Sequence, residues 1–381
     1  MHILQNKLWI LALVGAVFAT PLSAEVLKTK AKYALLMDAD TGYVMFDKKA
    51  DEPMHPASMS KLMTAYMIDE AVKSGKYKWD DEFEVSENAW KKGGAATGGS
   101  TMFLEPKQKV RLDDLLKGII IQSGNDACIV VAENMAGTEE AFAAQMTQKA
   151  KKMGLKNSTF KNATGIPHPE HLMSAKDLAL LSQHIIRDYP DQYEIYSQKD
   201  FTYNGIKQGN RNPLLYSLDG ADGLKTGHTQ KSGYGLTASV KAKDGRRLIM
   251  VINGLKSMNE RAEEARKVMS WGLANFQNSN LLNTDKAIAE VDVWLGESKT
   301  VKAVPAKNLI QTHPIAEDIQ ATSVVRYQQP VSAPIQKGQK LGTITTLLPD
   351  KTLVETDLLA AESVEKLGFF GKIKALFSGG K

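Results

Sequence analysis

Two short apolar runs, residues 33–37 and 43–46 of YALLMDADTGYVMFD, flank a polar stretch from Asp38 to Gly42, so two strands around a turn are expected. Pro56 suits the first turn of a helix, which Leu62, Ala65, Tyr66 and Ile68 carry on at helical spacing. Helical periodicity returns over residues 112–122, 126–136, 140–153 and 174–186, the last with Ser174 placed as its cap and Asp177 three positions on. Residues 235–254 read as two strands, LTASVKA and RRLIMVI, whose Asp244-Gly245 junction favours a tight hairpin. Residues 261–276 are helical again. The glycine-rich stretch KKGGAATGGSTM, residues 91–102, is expected as a mobile loop. It is no phosphate loop, because no strand–Gly–Lys–Ser/Thr–helix order follows. Helices and strands come in long blocks, an α+β pattern rather than a strict βαβ series.

After Phe276 the pattern changes. IAEVDVWLG, KTVKAV, TSVVRY, KLGTITTL and TLVETDL are short alternating runs separated by Pro, Gly and Asn. They predict a small all-β domain of the sandwich type, with a spacer or interaction role. The chain ends differ again. Lys7 followed by the apolar run Leu8 to Phe18, and Leu22-Ser23-Ala24 before Glu25, read as a secretory signal; an uncleaved anchor is the alternative. In the tail, GFFGKIKALFSGGK, a helical wheel puts Phe369, Phe370, Ile373, Leu376 and Phe377 on one face, flanked by Lys372 and Lys374. Such a segment is too short to cross a bilayer and suits lying in its interface, aromatics buried and lysines reaching out; docking on the protein's own core is the alternative. The expected layout is a signal at residues 1–24, a catalytic domain at 25–277, a β domain at 278–361 and an amphipathic helix at 362–381.

A length of 381 residues allows two or more domains, and 43% hydrophobic residues is ample for their cores. The net charge of +5 comes with no nucleic-acid motif, and an anionic membrane surface accounts for it as well. The single cysteine, Cys128, rules out an intrachain disulfide and reads as a small buried hydrophobe. The histidines lack metal-ligand spacing of the H-E-x-x-H kind, and no metal or other cofactor is expected.

The candidate chemistry starts in PASMSKLMTAY, residues 56–66. At helical spacing Ser58 and Lys61, i and i+3, share a face, whereas Ser60 and Lys61 point about 100° apart. Ser58 is therefore the serine that can meet the amine. It also lies near the helix start, where free N–H groups favour the negative charge that develops on attack. Lys61 can serve as base only if neutral, against a reference pKa of about 10.4, which takes burial or a nearby cation. Alone, Ser-x-x-Lys is a weak signal, and an exposed helix accounts for it better. Two further stretches bear on it. In QSGNDA, Ser123 could relay a proton and Asn125 hold a polar substrate group, or either could cap a helix. In DGLKTGHT, Lys225, Thr226, Gly227 and His228 could form a strand offering a cation, a hydroxyl and an approachable backbone, or a plain polar strand end.

Together and in this order, Ser-x-x-Lys, Ser-x-Asn and Lys-Thr-Gly resemble the signatures of the penicillin-recognising serine enzymes. PASMSKLMTAY, SGNDA and DGLKTGHT look like the low-molecular-weight penicillin-binding proteins, the serine D-alanyl-D-alanine carboxypeptidases of the bacterial envelope. The resemblance covers nearly the whole chain. It implies a β-lactamase-like catalytic domain with an antiparallel sheet, and a site on the periplasmic face of the inner membrane. It also implies that Ser58 attacks the carbonyl between two terminal D-alanines of a peptidoglycan stem, with Lys61 taking its proton. Ser123 would pass that proton to the leaving D-alanine, with Lys225 holding the network's charge and Asn125 orienting the substrate. The N–H groups of Ser58 and His228 would form the oxyanion hole, and Thr226 and Arg211 would hold the free carboxylate. Arg261 matches another family arginine, although i,i+3 pairs in its Glu/Arg-rich helix explain it too. His171 and Asp177 match a flanking segment and read as structural.

Three rivals remain at this level. A class A-type β-lactamase needs a deacylating glutamate, and Glu170 lacks the Glu-x-x-Leu-Asn context, so β-lactams should acylate Ser58 and leave slowly. An endopeptidase of the same family would cut cross-links. A non-catalytic wall-binding protein is disfavoured because all the key side chains are present.

Overall fold

The computed structural model describes residues 26–368 apart from 318, 320 and 329. The strands Tyr33–Asp38, Val44–Lys48, Ala221–Thr229, Gly233–Lys241 and Arg247–Leu255 form one antiparallel sheet. Their spatial order is Val44–Lys48, Tyr33–Asp38, Arg247–Leu255, Gly233–Lys241, Ala221–Thr229, which leaves Ala221–Thr229 at an edge. Successive side chains on a strand face opposite ways, and both faces here are apolar. Leu35, Met37, Ile249 and Val251 join a large core with the helices Lys61–Lys73, Asn125–Ala136, Glu139–Lys152 and Ala175–Asp188. Leu36, Leu248, Met250 and Ile252 pack on the other face against Val268 and Met269 of the helix Met258–Asn275. Ser174 caps Ala175–Asp188 by accepting the Asp177 N–H at 3.0 Å.

Three local expectations change. Pro56 opens a 3₁₀ turn, Ala57–Ser60, and the α-helix begins only at Lys61. Residues 112–122 divide into a helix, Leu112–Lys117, and a π turn, Gly118–Gln122. The stretch expected as a mobile loop contains the end of a helix, Glu87–Gly93, and a 3₁₀ turn, Ala95–Thr97. Its far end is strapped down, because the Asp126 carboxylate accepts the Thr101 hydroxyl at 2.6 Å and the Met102 N–H at 2.8 Å.

The β domain follows the helix Met258–Asn275 directly. A ribbon of Phe276–Leu282 and Leu309–Pro314 lies beside a six-stranded sheet. Leu282 and Leu309 share an apolar cluster with Val291, Val301, Ile344 and Leu358 of that sheet, so the two layers are unequal. Asn278 Nδ2 donates to Asp38 Oδ2 at 3.1 Å and the Thr41 and Thr312 hydroxyls meet at 2.6 Å, tying this domain to the five-stranded sheet.

The helix expected over residues 362–381 is corrected where it can be seen. Residues 362–368 are extended: Ile335 and Val364 exchange backbone hydrogen bonds at 2.9 Å, and the Leu367 N–H donates to Leu295 O at 2.9 Å. Val364, 4% exposed, completes the β core, and burial of that side chain overrides any helical preference. The expected apolar face from Phe369 to Phe377 lies outside the described residues, as does the expected signal at residues 1–24. Among the described residues no helix is long and apolar enough to cross a membrane.

Candidate active site

The turn bearing Ser58 is strained and tightly wedged. Ala57 has φ 49°, a left-handed conformation that a side chain disfavours and that recurs at functional sites. Met59 N–H to Pro56 O is the first bond of this turn, so the Ser58 N–H precedes the ladder. Ser58 faces a cleft of about 670 Å³. Ser60 does not: it is fully buried, and its hydroxyl donates to the Ala57 carbonyl at 3.1 Å. Gly227 explains how the edge strand comes so near, since a Cβ there would sit 2.7 Å from Pro56 O and 3.2 Å from Ala57 Cβ.

Lys61 is fully buried beneath the turn. Its amine lies 3.0 Å from Ser58 Oγ, 2.8 Å from Asn125 Oδ1 and 2.5 Å from Thr164 O. Burial pushes its pKa down, Arg211 adds to that, and Asp126 and Glu139 oppose it. Cys128 also opposes it in principle, but burial raises that thiol to about 12, so it stays neutral near pH 7. Lys225 is 3% exposed and held well below its usual range, by burial first and then by the charges of Lys61 and Arg211. Two amines in one dry site favour the free-base form that a proton acceptor needs.

The π turn Gly118–Gln122 delivers Ser123 in a left-handed conformation, φ 63°. Gly124 occupies the cap position of the next helix, so neither Ser123 nor Asn125 serves as its cap. Asn125 is instead the first helical residue and turns its Oδ1 to Lys61. Ser123 and Asn125 both line the cleft with Ser58.

Thr226, Gly227 and His228 form the opposite wall on the edge strand. An edge strand keeps one row of backbone groups free for an added peptide. The His228 ring stacks on Tyr234 with centroids 3.8 Å apart, and the Arg261 guanidinium lies over the other partner of this stack, 5.8 Å from the Tyr234 ring. Arg261 is 6% exposed, and burial lowers it to about 10. Its Nη2 donates to Arg211 O at 3.4 Å, while its Nε has no partner among the described residues. Among the described residues no ion pair along its helix engages it, so the i,i+3 explanation does not hold. Arg211 Nη1 donates to Ser100 Oγ at 2.6 Å and Nη2 to Gln122 O at 3.2 Å, which fixes the fork in the cleft wall.

Glu170 does not line the cleft; it is exposed and paired with Lys161 at 3.1 Å. His171 and Asp177 are buried behind it. Asp177 accepts from the Asn157 N–H and the Ser158 hydroxyl, both at 2.7 Å, and His171 Nδ1 accepts from the Lys161 N–H at 3.3 Å. The sequence reading missed Thr164, whose role rests on a backbone carbonyl, and Ser100. Only the turn chemistry of Asn162 to Gly165 hinted at the former.

Residues 20–257 match the family model described as D-alanyl-D-alanine carboxypeptidase. Residues 276–366 match that of the penicillin-binding protein 5 C-terminal domain. D-alanyl-D-alanine carboxypeptidase DacC of Escherichia coli K12 is 39% identical over 360 residues, 93% of this chain and 90% of that protein. Penicillin-binding protein 5 of Haemophilus influenzae superposes with a TM-score of 0.74 at 35% identity, over 89% of this chain and 99% of that one. Penicillin-binding protein D2 of Listeria monocytogenes, solved in an ampicillin-bound form, gives 0.56 at 29% identity, over 65% of this chain and 98% of that one.

Proposed function

The chain belongs to the D-alanyl-D-alanine carboxypeptidase family, and from that premise we propose how its own residues carry the reaction. It is a serine-type D-alanyl-D-alanine carboxypeptidase that binds β-lactams. The observation that supports the assignment best is the buried Lys61 amine 3.0 Å from the Ser58 hydroxyl at the floor of the cleft.

Lys61 takes the Ser58 proton as Oγ bonds to the carbonyl carbon between the two D-alanines of a stem peptide. The oxyanion points at the N–H groups of Ser58 and His228. The C–N bond then breaks, and the leaving amine takes up the proton through Ser123. Lys225 keeps the site's electrostatics in favour of neutral Lys61. Asn125 and the edge strand align the peptide, and Arg211 with Thr226 holds the terminal carboxylate, a task suited to a planar fork. Arg261 adds positive potential from the cleft wall. Water then cleaves the acyl-enzyme, releasing the shortened stem. A β-lactam follows the same first step, but its leaving nitrogen stays tethered. Glu170 stands away from the cleft and supplies no water-activating carboxylate, so the drug leaves slowly. The signal-like start and amphipathic tail support a place on the periplasmic face of the inner membrane.

The test is labelling with fluorescent penicillin and D-alanine release from a pentapeptide ending in D-Ala-D-Ala. Ser58→Ala should abolish both, and Ser60→Ala should keep both. A labelled Ser58→Ala protein sinks the nucleophile assignment.

A further inference from the structure

The turn that offers Lys61 its third partner is braced from several sides. Asn162 Oδ1 accepts from the Gly165 N–H at 2.7 Å, the Thr164 N–H at 3.2 Å and the Thr164 hydroxyl at 3.1 Å. Asn162 Nδ2 donates to Ile166 O at 2.9 Å. From the opposite side the Ala163 N–H donates to Glu139 Oε1 at 3.0 Å, and the Thr64 hydroxyl donates to Ala163 O at 2.7 Å. Gly165 has φ +82°, and a Cβ there would lie 2.1 Å from Ala57 O, so the turn is seated against the nucleophile's own turn. The Thr164 carbonyl is thereby held at 2.5 Å from the Lys61 amine.

We infer that Asn162 and Glu139 are positioning residues of the acyl-transfer reaction: they brace the turn whose Thr164 carbonyl aims the Lys61 amine at Ser58. This rests on the reading of Ser58 as nucleophile and Lys61 as its base. Neither Asn162 nor Glu139 lines the cleft.

Two consequences run in different directions. A carbonyl acceptor favours an ammonium over a free amine, because the ammonium is the stronger donor. The charged and titratable groups around the amine are Asp126 and Glu139, which favour the ammonium, Arg211 and Lys225, which oppose it, and Cys128 and His171. Releasing the carbonyl leaves the amine easier to deprotonate but worse aimed. The plateau rate therefore falls while the acid limb of the rate profile moves to lower pH. A merely structural loss of active protein lowers the plateau and leaves the limb in place.

The experiment is the second-order acylation rate with fluorescent penicillin against pH, on the full chain. Asn162→Ala should lose at least about tenfold at the plateau, with the acid limb displaced to lower pH. Asn162→Asp keeps the accepting oxygen but sets its second oxygen against Ile166 O, so it should regain part of the plateau and stay above Asn162→Ala. Glu139→Gln keeps an acceptor for the Ala163 N–H and should stay within about twofold of the parent plateau, whereas Glu139→Ala should not. An unmoved or upward-moving acid limb in Asn162→Ala, or an unchanged plateau, overturns the inference. Should Asn162→Ala fail to fold, Glu139→Ala against Glu139→Gln carries the same contrast. Ser58→Ala run alongside separates the two levels: labelling there undoes the catalytic reading itself, whereas its absence leaves the profiles to judge the turn alone.

Discussion

Protonating His171 is a perturbation whose cost follows from the ring's surroundings. The ring is 1% exposed, Nδ1 already accepts the Lys161 N–H, and Nε2 has no partner among the described residues. A proton on Nδ1 would lose that bond and place a charge against Lys61, His168 and His55. Burial first, and those charges next, bring the pKa down from 6.5 to about 4. Between those values the unfolded chain binds a proton that the folded chain refuses, so folding stability rises with pH across the window. The contribution is intact above pH 6.5 and is lost as pH falls toward 4. At about 1.4 kcal/mol per pH unit the loss comes to about 3 kcal/mol, a large share of the roughly 5–15 kcal/mol that holds a domain folded. The assay is urea unfolding from pH 7 to pH 4.5 for the parent and for His171→Asn, which keeps an acceptor near the Nδ1 position but cannot titrate. Losses from carboxylates are common to both proteins and cancel in the difference. The parent should weaken by roughly 2–3 kcal/mol more than the variant over this range. Parallel pH dependences would refute the reasoning.

Three further outcomes follow from close contacts and from the chain's end. Gly227→Ala must push the edge strand off the Ser58 turn, because the new Cβ meets a backbone carbonyl at 2.7 Å. Acylation by penicillin should slow by about 100-fold, as expected for a misplacement near 1 Å, and stopped-flow rates like the parent's would contradict that. A chain ending at Gly368 should partition to the soluble periplasmic fraction with full peptidase activity, and persistent membrane association would remove the tail as the anchor. Ending at Ala361 should cost stability as well, since Val364 is part of the β core.

Much of the catalytic domain was legible because its signals are local. Short apolar runs bounded by turn signals marked the strands Tyr33–Asp38, Gly233–Lys241 and Arg247–Leu255, and Ser174 marked a helix start through its own cap bond. The pairing of Ser58 with Lys61 was legible for the same reason, as both lie on one turn. The tail was misjudged at residues 362–368 because the apolar helical face lies only from Phe369 on, while Val364 joins a β core built from residues far away in sequence. The π turn before Ser123 was hidden too: its five residues, GIIIQ, are all buried, and an apolar run looks the same in either helix type.

The sequence by itself determined which side chains could do chemistry, their order, and the elements that carry them, since residue type and short-range spacing are written along the chain. It could not determine whether Lys61 is a base. That depends on dry surroundings and on partners 64 and 103 positions away, Asn125 and the Thr164 carbonyl. It could not separate Arg261 in a cleft wall from an ordinary helix arginine, because the difference is the Tyr234 ring beneath it. Proton affinity and aim are properties of the surroundings, and only the tertiary structure assembles those.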